Sequence, residues 1–132
     1  MLLVISERYV MNGKPAYLLD TCFILGFYNK SAIALQMLAE HKVRLSECAI
    51  SVINRIEILG YTELTLSDET NLRKILESFI CLPLSVEVEM MTISLRKKHK
   101  IKLPDSIILA TAEVHGLKLL TLDQKLNNYS QN

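Results

Sequence analysis

Two acidic residues stand where α/β proteins commonly carry out their chemistry. Asp20 and Asp123 each end a short apolar run, in the segments Tyr-Leu-Leu-Asp and Leu-Leu-Thr-Leu-Asp. If each run is a buried parallel strand, both acids lie at the carboxyl end of the sheet, where such folds form their binding crevices. A lone acid at such a position is more often a helix N-cap or a turn residue. Both interpretations therefore remain open for these two residues.

Two further acids lie beside apolar helix faces. Glu57 follows Ile53 by four residues and precedes Gly60 by three, which predicts a place next to the apolar stripe of a helix. Asp105 follows Pro104 at the start of an apolar helical pattern, where a first-turn acid that complements the helix dipole is the plain alternative. A carboxylate beside an apolar face nevertheless needs a partner, because an isolated buried charge is costly.

A divalent cation is the partner that suits such a set of acids. Basic residues fall mainly in polar stretches, and Arg55 points to another side of the helix from Glu57. Four carboxylates that meet at about 5–6 Å repel by about 3 kcal/mol per pair at an effective dielectric of about 20. The sum exceeds the stability margin of a typical domain. Either some carboxylates are protonated or a cation neutralises them, and all-oxygen ligands favour Mg²⁺ or Mn²⁺ over zinc.

The elements that must position these acids follow an α/β pattern. Short apolar runs predict strands buried on both faces over 16–19, 49–52, 80–84 and 117–122. Apolar residues at three- and four-residue spacing predict helices over 31–41, 52–61, 68–79, 86–99 and 105–115. We expect Ser67 or Asp68 to cap the third helix and Gly116 to end the fifth. Alternating strands and helices predict a parallel sheet covered on both faces.

The composition is that of one ordinary globular domain. The chain has 132 residues, 50% hydrophobic and 22% charged, without low-complexity tracts or internal repeats. A net charge of +1 provides no overall field that attracts nucleic acid. The cysteines are odd in number and not clustered, so we expect small buried residues rather than disulfides or a zinc site (Cys22, Cys48 and Cys81). The N-terminal apolar run is too short for a signal peptide or membrane span, and we expect a cytoplasmic protein.

Two segments leave alternatives open. Five of the 15 basic residues fall within 96–102, directly before Asp105, and form either a solvated helix end or a patch that contacts phosphates. Residues 1–11 are either an additional strand or hairpin, or an extension from an upstream start codon, since Met11 begins a plausible shorter protein.

In order and context the four acids resemble those of the PIN-domain nucleases. The matching segments are Tyr-Leu-Leu-Asp-Thr at 17–21, Ile-Ser-Val-Ile-Asn-Arg-Ile-Glu at 50–57, Leu-Pro-Asp-Ser-Ile-Ile-Leu-Ala-Thr-Ala at 103–112 and Leu-Leu-Thr-Leu-Asp-Gln-Lys-Leu at 119–126. Each segment alone is a weak signal, but all four in order form a strong one. The length also resembles VapC-type toxins. The resemblance implies one domain over 1–132, with a three-layer fold and a central parallel sheet of four to five strands flanked by helices.

The resemblance also implies an activity, that of a metal-dependent endoribonuclease acting as the toxin of a type II toxin–antitoxin pair. It implies that Asp20, Glu57, Asp105 and Asp123 form the catalytic and metal-binding site, with Thr21 as a supporting hydroxyl. One or two Mg²⁺ or Mn²⁺ ions would activate a water for in-line attack on RNA and stabilise the charge that develops.

The partners implied by the resemblance are RNA, a small antitoxin and a second copy of the chain. Lys97, Lys98 and Lys100 would hold the RNA backbone beside the metal. Family members commonly attack structured RNAs such as transfer RNA, although no residue here reads a base in a way that can be decoded. The antitoxin would inhibit the toxin by laying its tail, with a basic side chain, over the acids, and the toxin would homodimerise through helices.

Three departures from the family pattern bear on the site and the sheet. Cys22 stands where such toxins often carry Asn, and no second acid closely follows Asp123. The chain stops at Asn132, before the usual fifth strand, and we expect residues 2–11 to cover the sheet edge left open.

Three rival interpretations remain. The first is a catalytically inactive PIN-like scaffold that binds RNA or protein, in which the mutual repulsion of the acids would only destabilise the fold. The second is a receiver-type phosphoacceptor domain, which requires paired acids after the first strand, where Thr21 follows Asp20 here. The third is an α/β domain whose acids are only caps and surface residues.

Overall fold

Four parallel strands form the centre of the protein, whose residues 15–130 are described by a computed structural model. They are β1 (Tyr17–Leu19), β2 (Cys48–Ser51), β3 (Ile80–Leu82) and β4 (Lys118–Leu120), in the order β3-β2-β1-β4. Every neighbouring pair is parallel, and Tyr17 of β1 lies opposite both Cys48 and Lys118. The predicted parallel sheet of four strands is confirmed in the described part of the chain.

Seven helices surround this sheet in residues 15–130. They are α1 (Thr21–Tyr28), α2 (Ala32–Glu40), α3 (Val52–Leu59), α4 (Leu66–Glu77), α5 (Val86–Lys98), α6 (Leu103–His115) and α7 (Gln124–Ser130). The five predicted helices are all present, with ends that differ by a few residues. The helices α1 and α7 were not predicted.

The strands send alternate side chains to two separate cores. Leu19 of β1 packs with Phe23 of α1 and Leu72 of α4 on one face. Leu18, the preceding residue, packs with Ile108 of α6 on the other face. Because both faces of the sheet are covered by helices, the fold has the three layers expected of it.

The strand β3 and two cysteines differ from the prediction of full burial. Cys81 of β3 is exposed, because β3 lies at the edge of the sheet and has a neighbour on one side only. Cys22 is exposed at the start of α1, whereas Cys48 in the inner strand β2 is buried. The expectation of three small buried cysteines was therefore correct only for Cys48.

Of the two predicted helix caps, one was wrong and one is confirmed. The helix α4 begins after Thr65, whose hydroxyl accepts a hydrogen bond from the backbone N–H of Asp68. Asp68 is thus a first-turn acid rather than the cap, and the prediction of Ser67 or Asp68 was wrong. Gly116 ends α6 with a φ of 66°, a left-handed conformation that glycine adopts without steric strain.

Predictions for residues 1–11, including an added strand over the sheet edge, lie outside the described residues. Within residues 15–130, no single helix is long and apolar enough to cross a membrane. The consecutive helices α1 and α2 pass that test only as a pair bent by 104°, on length and composition alone.

Candidate active site

Asp20 directly follows β1 and is held by several donors. It is 4% exposed, and its Oδ1 caps α1 by accepting a hydrogen bond of 2.9 Å from the backbone N–H of Phe23. The Thr121 hydroxyl and the Cys22 thiol also donate to its carboxylate. Burial is the largest effect and raises the pKa of Asp20, while these donors oppose the rise and Asp123 adds to it.

Thr121 links Asp20 to Asp123. Its hydroxyl donates to Asp20 and accepts a 2.9 Å hydrogen bond from the backbone N–H of Asp123. The Asp123 Oδ1 accepts from the backbone N–H groups of Lys125 and Leu126 at 3.0 and 3.2 Å, at the start of α7. Asp123 itself is exposed. Both strand-end acids therefore stabilise helix N-termini, as the structural interpretation predicted, and lie at one edge of the sheet.

Glu57 of α3 is positioned by a chain of hydrogen bonds with a fixed direction. The backbone N–H of Ser51 donates to Oδ1 of the fully buried Asn54 at 2.7 Å. The amide nitrogen of Asn54 therefore faces Thr21 and donates to its Oγ1 at 3.0 Å. This leaves the Thr21 hydroxyl to donate to Oε1 of Glu57 at 2.7 Å. Glu57 is exposed rather than partly buried, and Thr21 is the residue that contacts its carboxylate directly.

Asp105 lies in the first turn of α6, close to three other acids. Burial raises its pKa, followed by the charges of Asp123, Asp20 and Glu57, while Lys102 lowers it. Among the described residues its carboxylate accepts no hydrogen bond. The half-buried Asp105 is therefore close enough to the other three acids for the charge of each to raise its pKa.

The acids are neighbours but not a closed ligand set. Among residues 15–130, no three His, Cys, Asp or Glu side chains lie close enough together to hold one metal ion. Glu57 and Asp123 are exposed, so water screens part of the mutual repulsion predicted from the sequence. In the same part of the chain, the only ion pair within 4.0 Å joins Arg73 to Glu69, so no Lys or Arg neutralises the acids by contact.

The family model for the PIN domain matches residues 17–132. The chain belongs to the PIN-domain family. Members of this family are generally nucleases, and such nucleases generally use divalent metals. No curated protein matches the sequence significantly.

Several solved structures resemble this PIN domain. A toxin–antitoxin complex from Klebsiella pneumoniae has 32% identity and a TM-score of 0.71, with 83% of this chain and 88% of that chain covered. FitAcB from Neisseria gonorrhoeae has 23% identity and a TM-score of 0.69, with coverage of 87% and 93%. DNA-bound VapBC from Salmonella typhimurium has 21% identity and a TM-score of 0.62, with coverage of 78% and 83%. The last two show the fold alone.

Two positioning residues of this PIN domain were missed in the sequence. Thr121 was passed over as part of the last strand, although a hydroxyl two residues before a strand-end acid can cap it. Asn54 looked like an ordinary helix residue, although it stands three residues after Ser51 in a capping-box spacing and accepts from its N–H. Their contacts with Asp20 and Thr21 are tertiary, so spacing alone identifies neither role.

Cys22, the departure from the family pattern, still supplies a donor. Its Sγ lies 3.2 Å from Oδ1 of Asp20. Burial of the thiol and the neighbouring Asp20 charge raise the pKa of Cys22 to about 11, so the thiol keeps its proton at neutral pH. Cys22 therefore donates a hydrogen bond to the first acid.

A groove joins the acidic edge to part of the basic segment. It has a volume of about 270 Å³, and the charged residues that line it are Lys100, Lys102, Asp105, Asp123 and Lys125. Lys97 and Lys98 are exposed in the last turn of α5, where cations stabilise the helix C-terminus. Of the basic segment over 96–102, Lys97 and Lys98 thus lie at a helix end, and Lys100 and Lys102 line the groove.

Proposed function

We propose that this PIN-domain protein is a metal-dependent endoribonuclease and the toxin of a type II toxin–antitoxin pair. The observation that carries the proposal is the environment of Asp105, whose pKa is raised by burial and then by Asp123, Asp20 and Glu57. If Asp105 were only a first-turn helix residue, there would be no reason for three other carboxylates to lie near enough to raise its pKa. The four acids come from distant segments, so their proximity is a property of the fold.

The donor chemistry fits a hard divalent cation. Asp20, Glu57, Asp105 and Asp123 offer only oxygen, which suits Mg²⁺ or Mn²⁺, and their repulsion would be relieved by positive charge. When bound, such an ion would polarise the phosphodiester and lower the pKa of the attacking water. Glu57 and Asp123 are exposed, so an ion can reach their carboxylates without disturbing either core, while Asp20 stays fixed.

Thr21 orients one of these acids, and Asp105 can accept a proton. Thr21 fixes Oε1 of Glu57, which leaves Oε2 to face a ligand. Asp105 accepts no hydrogen bond from the described residues, so both of its oxygens are free to accept a proton from water. The three histidines are not hydrogen bonded to the acids and have no part in the proposal (His41, His99 and His115).

The partner of this toxin would be a small antitoxin protein. The relative from Klebsiella pneumoniae is a toxin–antitoxin complex, and an open apolar groove of about 600 Å³ lies between Phe27, Leu35 and Ile75 of this chain. An amphipathic helix suits such a groove. The antitoxin tail would then cross the acidic edge and place a basic side chain among the carboxylates, inhibiting the cytoplasmic enzyme.

A homodimer would form through helices, with α5 as the contact. Val86, Met90 and Ile93 are 66%, 65% and 50% exposed and follow one another at helical spacing on one face. We expect a Met90→Glu substitution to convert the dimer to a monomer in light scattering. A variant that stays dimeric, or a wild-type monomer, would rule out this contact.

Cleavage of mixed cellular RNA by the purified chain is the direct test. The reaction is run with Mg²⁺ or Mn²⁺, with chelator, and with an identically purified Asp105→Asn variant. Discrete fragments that disappear in both controls would support the proposal and exclude a contaminating nuclease. Absence of cleavage by folded, antitoxin-free protein would instead favour a catalytically inactive PIN-like scaffold that binds RNA or protein.

A further inference from the structure

The groove beside Asp105 combines two kinds of residue that nucleic acids require. Lys100 and Lys102 enter it from the segment between α5 and α6, and Lys125 enters it from α7. Tyr129, also from α7, adds an aromatic ring. Cations bind backbone phosphates and aromatic rings stack on bases, so the combination is typical of single-strand binding.

The groove is firmly built. Leu126 in its lining is 3% exposed and belongs to the core formed with α6, and Ile101 packs against the same core. His99 packs on Tyr129, with ring centroids 4.7 Å apart and an interplanar angle of 42°. The Tyr129 ring is therefore held in place by α7 and by its imidazole neighbour rather than left free in solvent.

The groove carries charges of both signs. Asp105 and Asp123 line it together with Lys100, Lys102 and Lys125, and all three lysines are exposed. Within residues 15–130, none of these lysines forms an ion pair within 4.0 Å with the acids. The ammonium groups are thus available to an external anion that lies next to the carboxylates.

We propose that this groove binds one nucleotide of single-stranded RNA beside the phosphodiester that is cleaved. Its phosphate would contact Lys100, Lys102 and Lys125, and its base would stack on Tyr129. A volume of about 270 Å³ lies at the lower end of ligand pockets and suits one nucleotide rather than a duplex. The inference rests on the proposed nuclease function, and it assigns Lys102, Lys125 and Tyr129 to substrate binding.

Binding in chelator tests the site separately from cleavage. The probe is a fluorescein-labelled single-stranded RNA of mixed sequence, titrated with the full chain at several salt concentrations. Lys100→Gln/Lys102→Gln/Lys125→Gln is compared with Lys42→Gln/Lys74→Gln/Lys118→Gln, a triple variant of exposed lysines outside the groove with the same charge change. The groove variant should weaken binding about tenfold and lower the salt slope by about 0.7, since one neutralised phosphate on a single strand contributes about that much. The control should change affinity by less than about threefold, since exposed charges outside a contact are largely screened.

The role of Tyr129 is tested by two variants and, independently, by crosslinking of the wild-type protein to RNA. Tyr129→Phe keeps the ring and should bind like the wild type, whereas Tyr129→Leu should bind about tenfold more weakly. Because Tyr129→Leu can also affect folding, the wild type is crosslinked to RNA that carries 5-iodouridine, and the attached peptide is mapped by mass spectrometry. Crosslinks at Tyr129 or His99 support the site, and crosslinks only elsewhere overturn it.

Equal weakening by both triple variants would mean a diffuse field and would overturn the proposal. Unchanged binding by the groove variant would also overturn it and leave the groove to a protein partner. Groove-dependent binding without cleavage would contradict the nuclease function alone. Cleavage that does not depend on the groove residues would contradict the nucleotide site alone.

Discussion

Asp20 and Asp105 belong to the same acidic edge but are held in opposite ways. Asp20 is 4% exposed, and its carboxylate accepts from Phe23, Thr121 and Cys22. Asp105 is half-buried, and its carboxylate accepts no hydrogen bond from the described residues. On the proposed function, Asp20 therefore serves both folding and chemistry, whereas Asp105 serves chemistry at a cost to folding.

Replacement of Asp20 should have the largest combined effect. Asp20→Ala removes a ligand and the cap of α1, and it leaves the Phe23 N–H and the Thr121 hydroxyl without their acceptor. We expect cleavage to fall at least about 100-fold and the free energy of unfolding to fall by about 1–3 kcal/mol. Initial rates with Mn²⁺ and urea denaturation measure the two effects. A fully stable variant would contradict the structural role of Asp20.

Replacement of Asp105 should abolish activity and stabilise the protein. Asp105→Asn removes the charge that repels Asp123, Asp20 and Glu57. We expect a loss of cleavage at least about as large as for Asp20→Ala, that is about 100-fold, with a melting temperature in chelator a few degrees above the wild type. A lower melting temperature would show that the acids do not repel one another in the folded state.

The pH dependence of the Asp105→Asn effect has a definite sign. Burial and neighbouring acids raise the pKa of Asp105, so the folded protein binds this proton more tightly than the unfolded chain. The cost of its charge is absent below the usual carboxyl pKa and is fully present above the raised one. The melting-temperature difference between variant and wild type should therefore grow as pH rises through the acid range, in melts with chelator.

Loss of the Thr121 hydroxyl should lower both stability and cleavage, because this hydroxyl holds Asp20 and Asp123 in place. Thr121→Val removes the donor to Asp20 and the acceptor for the Asp123 N–H. We expect the free energy of unfolding to fall by about 1–3 kcal/mol and cleavage to fall about tenfold, or about 1.4 kcal/mol. Thr111→Val is the matched control, because that buried hydroxyl donates only to the Ile107 carbonyl within α6. The control should lose stability without losing cleavage.

Reversal of the hydrogen-bond chain to Glu57 should have a smaller effect. Asn54→Asp still accepts from the Ser51 N–H but cannot donate to Thr21, so the Thr21 hydroxyl can turn away from Glu57. We expect cleavage to fall about fivefold, or about 1 kcal/mol. In a Thr21→Val background, Asn54→Asp should have little further effect, because both act through one hydroxyl. Independent effects in the double variant would exclude this route.

The rate at which Cys22 is alkylated should show the smallest effect, and it should depend on the charge of Asp20 but not on that of Asp105. With a pKa of about 11, the Cys22 thiol is only about one thousandth thiolate at pH 8 and should react slowly with iodoacetamide. Asp20→Asn removes one cause of that high pKa and should speed the reaction, whereas Asp105→Asn should not. Mass spectrometry separates Cys22 from the buried Cys48, whose pKa of about 12 is raised first by burial.

The sheet and its acids could be predicted because they depend on simple rules. Buried strands require uninterrupted apolar runs, and parallel strands bring their carboxyl ends to one edge. The helix α1 was missed because its sequence, Thr-Cys-Phe-Ile-Leu-Gly-Phe-Tyr, is apolar on all sides and lacks a helical period. The helix α7 was missed because it is short and polar, with Leu126 as its one buried residue.

The details of the acidic edge were less predictable because they arise from tertiary contacts. Glu57 was placed beside an apolar stripe, but its exposure depends on what covers α3. The distance between the acids depends on side-chain rotation, which the sequence does not determine. Thr121 and Asn54 became recognisable only once the fold had brought them to Asp20 and Thr21.

The central position of β1 has a consequence for how the protein is made. The residues joined by the Thr121–Asp20 hydrogen bond are 101 positions apart in the sequence, and β1 pairs with β4, the last strand described. Synthesis proceeds from the N-terminus, and contacts of such long range form late in folding. A growing chain on the ribosome therefore carries Asp20 and Glu57 long before it carries Asp105 and Asp123. The acidic edge is therefore completed only after the segment that carries β4 has left the ribosome and paired with β1.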